Sequence, residues 1–168
     1  MAKFDITLKG ASHAEEFRVA ASATRAYVGE PVNFAGTYTS GVASVNVVVV
    51  LTDAKPVIGT DNFVGIFAGN MAVNSSGTVT AQKIMVDVPI PMFTYIRGKA
   101  KTVANIDTDA ELLGVMWDLV LFDLTSSTYT IDETAAADTS GLIVRNGNIV
   151  KGLLDVVVDA RAMRADVA

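Results

Sequence analysis

The decamer LIVRNGNIVK, residues Leu142 to Lys151, with the β-branched run that follows it to Val158, decides the fold class. Leu142-Ile143-Val144-Arg145 and Asn148-Ile149-Val150-Lys151 flank Asn146-Gly147. Asn-Gly is the preferred pair for a two-residue hairpin, because both central residues must take positive φ and these two do so at little steric cost. The pattern predicts a hairpin turning at Asn146-Gly147 and makes the C-terminal third a sheet.

The same grammar of short strands and Gly/Pro turns runs back towards the N-terminus. Leu112 to Leu124 (LLGVMWDLVLFDL) reads as strand from Gly114 and its β-branched and aromatic content, with one helical turn at Ala110 to Leu113 as a competing start. Thr125-Ser126-Ser127 turns into Tyr129-Thr130-Ile131, and Thr134 to Gly141 is a small-residue loop. From Ile84, the apolar Val86, Val88 and Ile90 alternate with Met85, Asp87, Pro89 and Pro91, a half-buried strand whose prolines put its end at a sheet edge or corner. Val45 to Leu51 is a further run of strand length, and Phe63 to Gly69 (FVGIFAG) is aromatic and Gly-rich. Strands about ten residues apart with turn signals between them imply an all-β barrel or sandwich.

At the N-terminus, Phe4, Ile6 and Leu8 alternate with Lys3, Asp5, Thr7 and Lys9, giving an extended strand one apolar face. Gly10 to Tyr27 is small and polar with Phe17 and Val19 as its anchors, and reads as an arm that packs on its own barrel or on a neighbouring subunit. The expected division is residues 1–28 as an N-terminal arm with one strand and 29–168 as a single β-barrel-like domain, opened by the turn Gly29-Glu30-Pro31. Removing residues 1–20 is then expected to weaken assembly and leave the barrel folded.

A chain of 168 residues is most economically one domain with a real core. With 51% hydrophobic and 18% charged residues it sits on the apolar side of globular, which points to apolar surface buried between subunits, hence an oligomer. The absence of cysteine removes disulfides and thiolate metal sites. A net charge of -5 repels nucleic acid and anionic lipid, so neither is an expected partner. No stretch has the apolar h-region of a secretory signal or the length to span a bilayer, so the expectation is a soluble protein made in a cytoplasm.

The search for chemistry comes up short of a catalytic set. His13 is the single histidine, and its neighbour Ser12 makes no triad without a nucleophile elbow to present it. Asp107-Thr108-Asp109-Ala110-Glu111 resembles the start of a calcium loop, but Leu112 stands where that loop needs glycine and Asp118 where it needs glutamate, so a solvated acidic turn is the better reading. Gly65 and Gly69 lack the third glycine of a dinucleotide fingerprint, and Gly98-Lys99 lacks the upstream glycine of a P-loop. The expectation is a non-enzyme with no cofactor or metal.

If residues 93–101 stay extended, Phe93, Tyr95, Arg97, Lys99 and Lys101 share one face. Aromatics beside cations are what a single-stranded nucleic acid platform uses. The preferred reading is a half-buried strand with a charged, soluble edge.

Taken in order, GEPV (29–32), FVGIFAG (63–69), IMVDVPIP (84–91) followed by IRGKA (96–100), LLGVMWDLVLFDL, YTIDE (129–133) and the ending with KGLLDVVVDARAM (151–163) carry a resemblance across most of the chain. It resembles the head decoration, or capsid cement, proteins of tailed bacteriophages. That resemblance implies a β-barrel or tulip-like body assembled as a homotrimer. It further implies binding to the major capsid protein on the outer surface of the virion, where the protein clamps neighbouring capsomers after synthesis in the bacterial host cytoplasm. On this reading the arm residues Phe4, Ile6, Leu8, Phe17 and Arg18, with the cations Arg97, Lys99 and Lys101, are the expected partner contacts. A glycan- or receptor-binding β-module of a phage fibre or adhesin is the alternative, and a nucleic-acid-binding barrel using the 93–101 stripe is a further one.

Overall fold

The structure, a computed structural model, describes residues 6–19, 29–34, 47–49, 56–58, 63–68, 83–125, 128–134 and 138–163. Among them the strands are β1 (Thr7–Lys9), β2 (Ser12–Val19), β3 (Pro31–Phe34), β4 (Val47–Val49), β5 (Phe63–Phe67), β6 (Lys83–Pro89), β7 (Tyr95–Lys99), β8 (Leu119–Thr125), β9 (Thr128–Asp132), β10 (Leu142–Asn148) and β11 (Leu153–Val158). One short helix, α1 (Asp109–Val115), precedes β8. The chain is all-β, as its turn and strand grammar predicts.

The C-terminal hairpin forms, but not with the expected turn. β10 runs straight through Asn146-Gly147, neither of which takes positive φ, and the reversal lies at a single 3-10 turn over Ile149–Lys151. Gly152, at φ 60°, ends that turn, and Asn148 Oδ1 accepts from Lys151 N at 3.0 Å. Burial explains the displacement. A turn at Asn146-Gly147 would set Leu142 opposite Lys151, whereas the observed register sets Leu142 opposite Val158 and Val144 opposite Val156, all fully buried. Matching two apolar faces outweighs the intrinsic preference of one turn pair. The extra residue is absorbed as a β-bulge at Arg145.

The strands divide into two sheets. Six form the order β1-β7-β11-β10-β8-β9, and a parallel bridge from Ala100 to Ile131 of β9 curls that sheet into a half-barrel. Five close on themselves as β2-β4-β3-β5-β6, with β2 and β4 the parallel pair. Ile6, Ile96, Phe122, Tyr129, Ile131, Leu142, Val144, Leu154 and Val156 fill the curled sheet, and Phe63 and Ile66 of the five-stranded barrel join the same core. Phe63 and Phe122 lie 6.2 Å apart between ring centroids, and Phe122 meets Tyr129 edge-on at 6.4 Å. Both geometries suit the ring quadrupole.

Over residues 6–19 the N-terminal segment is not an arm. β1 pairs with β7, and β2 pairs with β6 from Ser12 against Pro89 to Arg18 against Lys83, closing the barrel. Ile6 and Phe17 are buried inside their own chain. Of the two expected placements, on its own barrel or on a neighbouring subunit, the described part takes the first, as paired strands of the sheets. Phe4 and residues 20–28 lie outside the described residues.

The helix reading at Ala110 to Leu113 was the right one for the start of LLGVMWDLVLFDL, and Gly114 belongs to the helix rather than to a strand. Thr108 Oγ1 accepts from Glu111 N at 3.3 Å while Glu111 Oε2 accepts from Thr108 N at 3.1 Å, a reciprocal capping box. The acidic stretch at 107–111 is therefore a helix start. Its hydrogen bonds tie Asp107 to Glu111, raising the Asp107 carboxyl above its ordinary value, while Glu111, held first by Thr108, is lowered.

Candidate binding surfaces

The 93–101 segment does not form one continuous stripe. Only Tyr95, Arg97 and Lys99 share the outer face of β7; Phe93 sits in the turn before it and Lys101 beyond its end. Arg97 meets Asp155, its direct cross-strand partner on β11, through paired 2.6 Å contacts from Nε and Nη2. That hydrogen-bonded fork raises the Arg97 pKa. Lys101 Nζ lies 2.6 Å from Asp132 and 3.6 Å from Asp123, and its pKa is raised chiefly by the bond to Asp132. Of the three expected contact cations in the 93–101 segment, Arg97 and Lys101 are engaged within the chain, and Lys99 stays exposed on the surface. Arg18 lies on β2 with its backbone opposite Lys83, and Leu8 is half-buried against the core.

Behind Lys101, the buried Glu133 carboxylate accepts from the backbone N–H groups of Lys101 and Thr102, both at 3.1 Å, and from Asn105 Nδ2 at 2.9 Å. The YTIDE segment thus supplies two interior side chains to the sheet and two carboxylates that fix the chain leaving β7. Ser12 and His13 are neighbours on β2 and project to opposite faces of it, so they form no catalytic pair. Among the described residues no cluster of histidine and carboxylate groups is arranged to hold a metal ion, and no helix is long and apolar enough to cross a membrane.

What the structure brings forward instead is two exposed apolar features. The first is the turn from β6 to β7. Pro89 ends β6, Ile90 and Met92 are more than two-fifths exposed, and Phe93 is 77% exposed. Its backbone is held at every side. Phe93 N and Thr94 N both donate to Ile90 O, at 3.1 and 2.9 Å, and Met92 N donates to the carbonyl of Val158 at the end of β11, at 3.0 Å. The fully buried Thr94 hydroxyl donates to Ala11 O in the β1–β2 turn and accepts from Ile90 N. Here the chain crosses twice between the two sheets, from β1 to β2 and from β6 to β7, and Phe93 stands at that seam.

The second feature is at Trp117, 61% exposed, just after α1. Trp117 N donates to Val144 O at 2.9 Å, and the guanidinium of Arg145, the bulge residue of β10, lies 3.9 Å from the ring centroid. Leu113, on the preceding helix, is 71% exposed.

Backbone strain links the two features. Among the described non-glycine residues, positive φ occurs at Met92 (64°) and Trp117 (72°). Each is a large apolar residue held outward at a conformation that costs on the order of 1–3 kcal/mol. The sequence pattern predicts strand at Trp117 and puts Phe93 on a stripe only if residues 93–101 stay extended. Pro89 and Pro91 bracketing Ile90, with two large apolar residues next, are the local sign of the first turn. The second needs the Arg145 bulge, which only the register of β10 against β11 reveals.

Compared with protein families and with curated proteins, the chain matches no family model and no curated sequence.

Proposed function

We propose that this chain is a decoration protein of a tailed-phage capsid, which binds the outer surface of the major capsid protein lattice and holds neighbouring capsomers together by surface burial. The observation that carries the reading is the pinned β6–β7 turn. A strained Met92, two backbone bonds to Ile90, one to Val158 and the buried Thr94 hydroxyl hold Phe93 out at the seam of two sheets. A pre-formed aromatic anchor loses little conformational freedom on docking, so its burial converts to affinity with small entropic loss. The order of sequence segments that resembles capsid cement proteins supports the identity of the partner. Assembly as a homotrimer would repeat the anchor by symmetry, and many modest contacts then add through avidity.

Co-sedimentation of the purified protein with mature, undecorated shells of its parent phage tests this. Saturable binding at a fixed ratio to the major capsid protein is expected, and no binding to intact expanded shells would overturn it. A glycan-binding module is the second reading, favoured by the exposed Trp117 ring. It predicts polysaccharide binding that Trp117→Ala abolishes, with no shell present.

A further inference from the structure

We propose that Asn146 deamidates spontaneously in the folded protein, making it a chemical timer on the β10–β11 hairpin. The chain holds a single Asn-Gly pair, Asn146-Gly147. The structure frees it from the turn and places it in β10, where the Asn146 side chain is exposed and folds back along its own strand: Gly147 N lies 2.9 Å from Asn146 Oδ1. Gly147 N–H donates to that oxygen, which keeps the nitrogen beside the side-chain amide whose Cγ it must attack, and proximity of this kind removes part of the entropic barrier to ring closure.

The steps balance without redox chemistry. Gly147 N gives its proton to hydroxide or water and forms a bond to Asn146 Cγ. The bond from Cγ to the side-chain nitrogen breaks, and that nitrogen leaves as ammonia with a proton from solvent. The resulting five-membered imide is opened by water at either carbonyl. One route leaves aspartate at 146; the other leaves isoaspartate, which routes the main chain through the former side chain and lengthens it by one methylene.

Both products strike the same row of the sheet. Asn146 sits directly opposite Asp155, which sits opposite Arg97 and is bound by it on both oxygens. A carboxylate at 146 puts like charge directly across the strand pair, which destabilises it. The isoaspartate form puts its extra methylene between two consecutive ladder positions, Asn146 against Asp155 and Gly147 against Leu154.

The test is incubation of the native protein in mildly alkaline buffer, followed by peptide mass analysis of the 146 site beside the same chain unfolded in urea. Asn105 and Asn148 serve as internal references, since each precedes isoleucine and has its side chain hydrogen-bonded elsewhere. Native conversion at 146 within about tenfold of the unfolded rate is expected; stronger protection, equal to an opening cost above about 1.4 kcal/mol, would overturn the proposal. Asn146→Ser should stay unmodified at this position over the same time. Asn146→Asp, made directly, should melt at a lower temperature than the unaged protein, and an unchanged melting temperature would overturn the timer.

Discussion

The carboxylate of Glu133 is buried and accepts three hydrogen bonds from the 101–105 segment, two of them from backbone N–H groups. Truncating it takes the acceptor from Thr102 N and Asn105 Nδ2, while Lys101 N keeps Ile131 O at 2.8 Å, so Glu133→Ala should cost about 1–3 kcal/mol in urea unfolding. Asp132 and Asp159 give the fold an acid limit. In Asp132, burial raises the carboxyl, but the bonds from Lys101 and Thr134 outweigh it and the net shift is downward; in Asp159 the bond from Arg161 leads the lowering. Their folded values lie below the ordinary 3.8. The unfolded chain therefore binds more protons in that range. The stability they contribute is complete above about pH 4 and is lost as pH falls through the folded values. Urea midpoints measured across an acid series should fall there, and Asp132→Asn should flatten that limb while lowering the midpoint at neutral pH.

At the scale of elements, two segments separate what sequence patterns reveal from what they do not. The strand at Lys83–Pro89 and its proline-bounded end were readable from period-two alternation and from the ring's missing donor. The hairpin was readable as a hairpin, but its turn was not. Turn propensity is local, while the register that buries Leu142 against Val158 depends on residues sixteen positions apart in sequence. The capping box at Thr108 and Glu111 is written in the sequence, where the stretch reads only as a solvated acidic turn. The bulge that sets Arg145 over Trp117 had no local sign. Strain at the β6–β7 turn makes a distinct prediction. Met92→Gly relieves the positive φ, at some cost in unfolded-state entropy, so it should raise stability by up to about 1 kcal/mol while weakening shell binding. Lower stability in thermal melts, or shell binding unchanged by the substitution, would contradict the reading of that strain as functional.

For the whole molecule, the sheet grammar gave the all-β class, while the division into arm and barrel did not survive the pairing of β1 and β2 into the two sheets. Which strand a short alternating segment joins is set by long-range pairing, on which local alternation is silent. Deleting residues 1–20 removes Ile6 from the core and β2 from the barrel, so it should abolish cooperative unfolding rather than leave a folded body. A deletion protein that still melts in one sharp transition would show that the barrel does not need β2. Docking onto a shell through the rigid, aromatic β6–β7 turn, as proposed, is tested by titrating undecorated shells with wild type and with Phe93→Ser in parallel. Phe93 is exposed, so its loss should leave the melting temperature unchanged. Wild-type binding should saturate and should weaken at least about tenfold in the variant, the size of effect expected for an interface anchor; equal binding by the two proteins would rule the turn out as that anchor.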